Sequence, residues 1–525
     1  MAWDAWGDPA LAKPLSDGIK SLLEQALGVA GTDVAAPSID EVQLTPSALD
    51  ARHRAGLAAI VGEQYVRTDD QDRLLHAGGK STPDLLRRKQ IHQDAPDAVI
   101  LPVSEDEVAA ILDYCSQNGI AVVPFGGGTS VVGGLDPIRD GFDAVVTLDL
   151  RRFTELHWLD EVSGEAELGA GLTGPDAEQL LGERGFSIGH FPQSFRFASI
   201  GGYAATRSSG QDSAGYGRFN DMVRGMRVVT PAGTLDLGRA PASAAGPDLR
   251  ELFAGSEGVF GVITRVRLRV HPVPEAKRYE AWSFPDFATG AAALRAITQT
   301  GTGATVVRLS DEVETGVNLA TTHSIGEQSS TGGCLGVTMF EGTPEHAESR
   351  HAETRAVLLA HGGTSLGEET AKNWEKGRFD APYLRDSLLK AGALCETLET
   401  ATTWSNVPKL KAAVTEALTT ALTASGTPAL VMCHISHVYP TGASLYFTIV
   451  AGQRGDVTTQ WRTAKKSACD AIMANGGTIT HHHAVGADHR PWMTDEIGEL
   501  GVQILRAVKQ TLDPAGILNP GKLIP

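Results

Sequence analysis

Apolar positions along the chain change from helix-like to strand-like spacing at about residue 96. Residues 98–101 and 121–124 are short apolar runs typical of buried strands. Between them Ser104 is placed to cap a helix that runs to about residue 118, with Glu107 at the capping-box position. This order predicts a βαβ unit. Further β-rich runs are expected at 144–150, 164–172, 226–230 and 261–270.

Long helical patterns alternate with strands from about residue 279 to 470, which predicts a second α/β unit with helices over an antiparallel sheet. An amphipathic helix is expected near the end, over 494–509. Within the second α/β unit, the predicted helices are 343–361, 384–399 and 407–425, and the clearest predicted strands are 429–434 and 443–450.

The length of 525 residues exceeds what one hydrophobic core normally holds. Together with the changes of pattern, it predicts several units. A helical N-terminal region precedes residue 94, with helices over 16–27, 48–61 and 81–89. The predicted divisions are 1–93, 94–275, 276–475 and 476–525.

Composition narrows the class of protein. The net charge of −18 argues against nucleic acid as a partner, because binding to phosphates needs a basic surface. The five scattered cysteines fit a reducing compartment rather than a disulfide framework. No apolar run is long enough for a bilayer, and the N-terminus does not resemble a secretory signal. We therefore expect a cytoplasmic protein, with peripheral membrane contact left open.

Three consecutive histidines, His481, His482 and His483, are the clearest candidates for chemistry, since imidazole can transfer protons, bind anions or ligate metals. The preceding residues 476–480 are typical of a turn that leads into a short strand. On a strand, His481 and His483 would share one face and His482 would take the other. A single site would then use one or two of them. The alternative is a polar surface tract.

A glycine loop follows the strand at 121–124 directly. Consecutive glycines let backbone N–H groups converge on an anion, and hydroxyl side chains add donors. The loop lacks the G-x-G-x-x-G pattern and the Gly-Lys-Ser/Thr of a P-loop. A flexible turn is the simpler interpretation of such a loop alone. Its residues are Gly126, Gly127, Gly128, Thr129 and Ser130.

Other motifs follow the loop at wide spacing, namely 201–206, 255–258 and the final Asn519-Pro520-Gly521-Lys522. With the loop, they resemble the FAD-linked oxidases of the vanillyl-alcohol-oxidase type. The resemblance implies an α+β fold with a two-subdomain FAD-binding domain of the PCMH/VAO type over 94–275. It also implies a substrate-binding α/β cap domain with an antiparallel sheet over 276–475. Residues 1–93 would be the N-terminal helical segment, and 476–525 would return to the FAD site.

The same resemblance implies FAD as cofactor. Members that link flavin covalently often carry a histidine in the loop, where this chain has Gly128 and Thr129, so we predict dissociable FAD. The cofactor contacts that the resemblance implies are Pro124, Phe125, Gly126, Gly127, Gly128, Thr129, Ser130, His190, Pro192, Ser194, Gly201, Gly202, Thr206, Glu257, Gly258, Gly261, Val262 and Ile263.

Motifs in the second half, read in order, closely resemble the alkyldihydroxyacetonephosphate synthase family over nearly the whole chain. They include 308–311, 340–342, 383–386, 395–400, 445–447 and 476–486. This resemblance implies exchange of the acyl group of an acyl-dihydroxyacetone phosphate for a fatty alcohol in ether-lipid synthesis. It implies a covalent adduct at flavin N5 and no net redox change. Both substrates are small lipids, and we predict no resident metal.

The resemblance also assigns roles in catalysis. Arg385 matches an active-site arginine, and a guanidinium suits a phosphate head group. Tyr446 matches a tyrosine general acid/base. His482 and His483 match histidines that line the site. An ordinary helix ion pair and a core tyrosine are the structural alternatives for Arg385 and Tyr446.

Arg308 matches an essential arginine held by a carboxylate, which we expect to be Glu341. The alternative is that this pair is purely structural. The chain departs from the family near Arg308 and near the expected edge of the flavin. The segment between Arg308 and Glu341 is short for the family. Phe191 and Gln193 stand where the family typically has two carboxylates.

A second function stays open from the sequence, namely FAD-dependent oxidation of an alcohol or 2-hydroxy acid. Its metal-dependent form would place an ion on His481 and His483 with an outside carboxylate. A flavin-binding protein without catalysis is a third possibility. By analogy with the family, we expect a homodimer.

Overall fold

The computed structural model describes residues 1–29, 36–317 and 333–525. Most of the segment between Arg308 and Glu341, whose length departs from the family, therefore lies outside the described residues. The N-terminal region is helical, as predicted, and Ser16 and Ser81 cap its first and last helices. It comprises α1 (Asp17–Leu27), β1 (Gln43–Leu44), α2 (Ala51–Val61), β2 (Val66–Arg67), α3 (Asp70–Leu75), α4 (Thr82–Arg87) and β3 (His92–Gln93).

The predicted βαβ unit is present. Its strands form a four-stranded sheet in the order β2-β4-β6-β5, in which β4, β6 and β5 are parallel. Ser104 caps the helix by accepting from the amide of Glu107. The glycine loop begins where β5 ends. The elements are β4 (Ala98–Ile100), α5 (Glu105–Gln117), β5 (Ile120–Phe125) and β6 (Ala144–Asp149).

A five-stranded antiparallel sheet follows, in the order β11-β10-β12-β8-β7. The two sheets correspond to the two expected subdomains. The elements are β7 (Leu156–Asp160), β8 (Glu165–Gly169), α6 (Gly174–Gly182), β9 (Phe186–Ser187), α7 (Ile200–Thr206), α8 (Ser213–Tyr216), α9 (Phe219–Met222), β10 (Val223–Thr230), β11 (Gly233–Leu237), α10 (Arg250–Phe253), β12 (Val262–Arg269) and β13 (His271–Pro272).

The second half forms an antiparallel sheet in the order β17-β14-β16-β15-β19-β21-β18, with β20 also paired to β21. The elements are β14 (Ala276–Phe284), α11 (Phe287–Thr300), β15 (Val306–Ser310), α12 (Glu312–Gly316), β16 (Cys334–Gly342), α13 (Pro344–Ala360), β17 (Thr364–Gly367), α14 (Glu369–Gly377), α15 (Ala381–Lys390), β18 (Ala393–Thr403), α16 (Val407–Ala424), β19 (Ala429–Ile435), β20 (Val438–Tyr439), β21 (Gly442–Gly452) and α17 (Val457–Ala474).

Two sequence predictions are wrong here. The helix expected over 384–399 ends at Lys390, and β18 replaces its second half. Nearly every residue of β18 up to Thr400 is buried, so the strand has no polar face to distinguish it from a buried helix. Residues 481–483 form a bend rather than a strand.

The C-terminal segment contacts the first half of the chain. The predicted helix is present as α18 (Met493–Leu512), broken at Gly498, whose φ is 74°. Beyond it, Asn519 donates to the carbonyls of Gly134 and Glu257. Among the residues described, no helix has the length and apolar character needed to cross a bilayer. The domain divisions at 94, 276 and 476 stay predictions.

Candidate active site

One cavity of about 390 Å³ runs between the glycine loop and the antiparallel cap sheet. All five predicted catalytic side chains line it: Arg308, Arg385, Tyr446, His482 and His483. Sixteen of the eighteen predicted cofactor contacts also line it. The exceptions are His190, which packs between Tyr203 and Phe219, and Val262, which is fully buried in β12.

The glycine loop forms a cradle that larger residues cannot form. A Cβ on Gly127 would lie 2.0 Å from the carbonyl oxygen of Phe197, and one on Gly126 would lie 2.3 Å from Ser199 Oγ. Gly128 has a φ of 70°, which glycine adopts without strain. The loop therefore keeps its backbone open towards the cavity.

We expect Gly127→Ala to lower FAD retention, because its Cβ would push the loop away from rigid backbone. Overpacking of this kind costs about 1–3 kcal/mol. Flavin absorbance per protein after gel filtration measures the effect. Gly182→Ala, whose Cβ would meet nothing within 4 Å, is the matched control. Equal flavin content in the two variants would contradict the role given to the loop.

The glycine loop fits FAD, because its open backbone suits the pyrophosphate of that cofactor. Several polar side chains also line the cavity and could bind the polar ring system of the flavin. They include Gln193, Ser209, Gln211 and His437.

Four polar side chains form a row across the cap sheet. Tyr446 on β21 lies opposite Glu399 on β18 and opposite His434 on β19. His434 in turn lies opposite Ser310 on β15. Directly opposed residues point to the same face of a sheet. The His434 and Tyr446 rings stack at 4.9 Å with an interplanar angle of 16°.

Glu399 organises the histidine run. Its carboxylate accepts from the consecutive amides of His481, His482 and His483 at 2.6, 3.2 and 2.9 Å, and from Thr480 Oγ1 at 2.6 Å. Three consecutive amides can converge on one carboxylate only if the chain bends, which explains the missing strand. Because the backbone is bent, His482 and His483 both reach the cavity, while His481 turns to Tyr439.

The protonation states follow from burial. Burial opposes the charge of Glu399, but the nearby imidazoles and the Thr480 hydroxyl outweigh it and hold its pKa well below the ordinary value. Burial lowers the pKa of His481 to about 3 and also lowers the pKa of His482 and His483. The same effect raises the pKa of Tyr446. The cavity wall therefore presents neutral imidazoles and a protonated phenol near pH 7.

The expected partner of Arg308 is wrong. Arg308 Nη2 donates to Glu314 at 2.5 Å, whereas Glu341 pairs with Lys277 at 2.9 Å and accepts from Tyr216. Arg308 and Glu314 lie on either side of the turn from β15 into α12. Glu341 lies on β16 opposite Lys277 of β14, away from the cavity.

Arg385 is buried beside the N-terminal residues. It donates to Asp386 through Nε and Nη2 and to the carbonyl of Lys80 through Nη1. Asp386 also accepts from the amide of Trp6, whose side chain lines the cavity. Lys80 Nζ donates to the carbonyls of residues 2, 3 and 5. The first residues of the chain thus close one side of the cavity next to Arg385.

Sequence reasoning missed several groups at this site. The motif at 395–400 contains Glu399, but the sequence assigns it no role, since its amide partners are more than 80 positions away. No sequence motif points to Glu314 or His434. The signal that could have identified Glu399 and His434 is that each is a polar residue in an otherwise apolar strand. Ala484, directly after the histidine run, adopts a φ of 73°, a conformation that favours glycine.

Family models match two parts of the chain. The model described as an FAD binding domain matches residues 96–237, and the model for the C-terminal domain of FAD linked oxidases matches 273–523. These matches confirm the predicted fold class and FAD as the cofactor.

Individual relatives match the full length. The alkyldihydroxyacetonephosphate synthase of Trypanosoma brucei brucei is 32% identical, over 100% of this chain and 92% of its own. That of Dictyostelium discoideum is 30% identical, over 100% and 93%. The chain is also similar to uncharacterized FAD-linked oxidoreductase YgcU of Escherichia coli, at 28% identity over 89% and 97%.

Solved structures agree. A structure of alkyldihydroxyacetonephosphate synthase superposes with a TM-score of 0.84 at 29% identity, covering 100% of this chain and 99% of that one. The 4-ethylphenol oxidase from Gulosibacter chungangensis shares the fold, with a TM-score of 0.70 at 15% identity, over 91% and 98%. The chain is therefore an FAD-dependent enzyme that belongs to the alkyldihydroxyacetonephosphate synthase family.

Proposed function

We propose that the enzyme exchanges the acyl group of an acyl-dihydroxyacetone phosphate for a fatty alcohol, which is a step of ether-lipid synthesis. The observation that carries this proposal is the set of groups that line one cavity. It joins a cradle suited to FAD with a phenol, two neutral imidazoles, two arginines and an apolar wall. The two substrates carry an ester, a phosphate, a hydroxyl group and alkyl chains, and the groups in this cavity can bind all of them.

Bound FAD would supply N5, a nitrogen able to hold the substrate carbon while one oxygen substituent replaces another. Tyr446 would move a proton at that carbon, and its raised pKa keeps it protonated as a donor. His482 and His483 would hydrogen-bond the reacting oxygens without adding charge. The guanidinium of Arg385 would bind the phosphate.

The apolar part of the wall suits the alkyl chains of both lipids. Burial of a chain stabilises the complex by about 0.8 kcal/mol for each methylene. Narrowing this wall should therefore shorten the preferred chain. The side chains concerned are Trp374, Leu384, Leu388, Met432 and Val450.

We propose three further properties. FAD is dissociable, because the loop offers Gly128 and Thr129 rather than a histidine, and acid precipitation should release it into the supernatant. The enzyme is also a homodimer, and it contacts membranes peripherally.

Both contacts are supported by exposed apolar side chains on α18. The exposed fractions are 40% for Ile497, 70% for Leu500 and 56% for Ile504. Sedimentation with and without vesicles tests both points.

The central experiment incubates FAD-loaded protein with acyl-dihydroxyacetone phosphate and a long-chain alcohol, without an electron acceptor. We expect an ether product and free fatty acid in equal amounts, with the flavin oxidised at the end. Anaerobic bleaching of the flavin by an alcohol or 2-hydroxy acid, without ether formation, would instead establish redox chemistry and reject the proposal.

A further inference from the structure

A carboxylate and an imidazole form a pair beside Tyr446 that no part of the proposed mechanism uses. Glu314 Oε2 lies 2.9 Å from His434 Nδ1, and Glu314 Oε1 accepts from Ser310 Oγ at 2.7 Å and from Arg308. The Glu314 side chain is fully buried. Burial opposes its charge, but His434 and Arg308 outweigh this and lower its pKa, so it is ionised.

The pair fixes the tautomer of His434. An ionised carboxylate accepts hydrogen bonds and cannot donate. The contact between Glu314 and Nδ1 therefore requires the proton on Nδ1. Arg308 Nη2, one of whose two hydrogens is directed to Glu314, also lies 3.0 Å from Nδ1. If its second hydrogen were donated to Nδ1, the ionised Oε2 of Glu314 would face a ring lone pair at 2.9 Å, which is repulsive, so the proton belongs on Nδ1. The lone pair of His434 is thus on Nε2.

Nε2 is available to a ligand. His434 lines the cavity and stacks on Tyr446. In the part of the chain that the structure describes, Nε2 has no hydrogen-bond partner, and it is not sealed off by protein atoms. A carboxylate that orients an imidazole whose other nitrogen faces a reaction site is the usual arrangement of a general base.

The exchange reaction needs a second base. An alcohol is protonated at neutral pH and must lose its proton as its oxygen bonds to carbon, whereas a fatty acid enters or leaves as a carboxylate that is already ionised. Tyr446 is assigned to the proton on carbon. Its hydroxyl acts on that proton, so the proton of the alcohol needs a separate acceptor.

We propose that His434 is a further catalytic residue that accepts the proton of the incoming alcohol, with Glu314 as the residue that positions it. This assignment rests on the proposed function. The alcohol O–H bond breaks and its proton moves to Nε2. The oxygen forms the new C–O bond, and the fatty acid leaves with the electron pair of the old one. The imidazolium, stabilised by Glu314, then releases its proton to water.

The test compares two nucleophiles at the same site. One assay measures ether formation from a fatty alcohol, and the other measures incorporation of labelled fatty acid into the acyl ester. His434→Gln retains an amide that can donate to Glu314 but is not a base. We expect ether formation to fall at least about 100-fold, as for loss of a general base, while fatty-acid exchange stays near that of the wild type.

His351→Gln is the matched control. His351 also pairs with a buried glutamate, Glu280, at 2.7 Å, but lies away from the cavity. It should leave both rates unchanged. Glu314→Gln, which keeps the imidazole, should show the same selective loss to a smaller degree. This second variant keeps the test valid if His434→Gln loses its flavin.

The outcomes separate the two proposals. A wild-type enzyme that forms no ether rejects the proposed function. A wild-type enzyme that forms ether, with variants that lose both reactions equally, shows that His434 and Glu314 support the site only structurally and overturns their assignment. Full ether formation by His434→Gln overturns it as well.

Discussion

Tyr446→Phe should reduce ether formation by about 10²–10⁴-fold, the usual contribution of a general acid/base, while the protein keeps its fold and its FAD. The substitution removes one hydroxyl from a side chain that is held in register by both neighbouring strands and stacked on His434. Its ring should therefore stay in place. Both ether formation and fatty-acid exchange should be lost, because each requires the proton on the substrate carbon to move.

The measurements are initial rates, flavin content and melting temperature. Tyr279→Phe is the matched control, since the hydroxyl of Tyr279 donates to Glu375 outside the cavity. It should retain the wild-type rate. Full activity of Tyr446→Phe at normal flavin content would reject the role of the phenol in proton transfer.

Glu399→Gln should have the second largest effect, because it disturbs three amides at once. A glutamine side chain offers one acceptor oxygen and turns an NH₂ group towards donors that point at it. Hydrogen bonds to a charged acceptor contribute about 1.5–3 kcal/mol each, and an unpaired buried donor costs about 1–3 kcal/mol. We expect a lower melting temperature, faster amide exchange over residues 480–484 and almost no activity.

The pH dependence gives an independent check. The pKa of Glu399 is lower in the folded protein than its ordinary value of 4.5. Its charge therefore stabilises the fold fully above that pH, and this contribution is lost as the pH falls through the folded pKa. The stability difference between wild type and Glu399→Gln should be constant from pH 8 to about 5 and shrink below that. Glu416→Gln, on the exposed face of α16, should show neither effect. A difference that persists unchanged into strong acid would contradict this account.

The sequence was sufficient for features that depend on local pattern. Gly126 to Ser130 follow a buried strand, and together with the motifs that come later in the chain this order predicts a cradle for the cofactor. The antiparallel cap sheet and the capped helix at Ser104 also follow from periodicity and capping residues. Tyr446, His482 and His483 could be named because the motifs around them occur in a recognisable order.

Features that depend on distant contacts could not be predicted. The order of motifs predicts Glu341 as the partner of Arg308, but it does not show which carboxylate is near in the fold. The turn after Ser310 brings Glu314 closer. The sequence predicts a strand for the histidine run, because alternation is the only local rule available. Its bend is imposed by Glu399, which is 82 positions from His481.

The row of Glu399, Tyr446, His434 and Ser310 has a consequence for redesign of the enzyme. Strand pairing fixes the spacing of these groups, so one of them cannot be shifted without moving its neighbours. A one-residue insertion in β21 would turn Tyr446 to the other face. Substrate range should instead be varied at the apolar wall, for example at Leu388 and Met432. Substitutions in this wall can then select alkyl chains of new length without moving the groups that carry out the reaction.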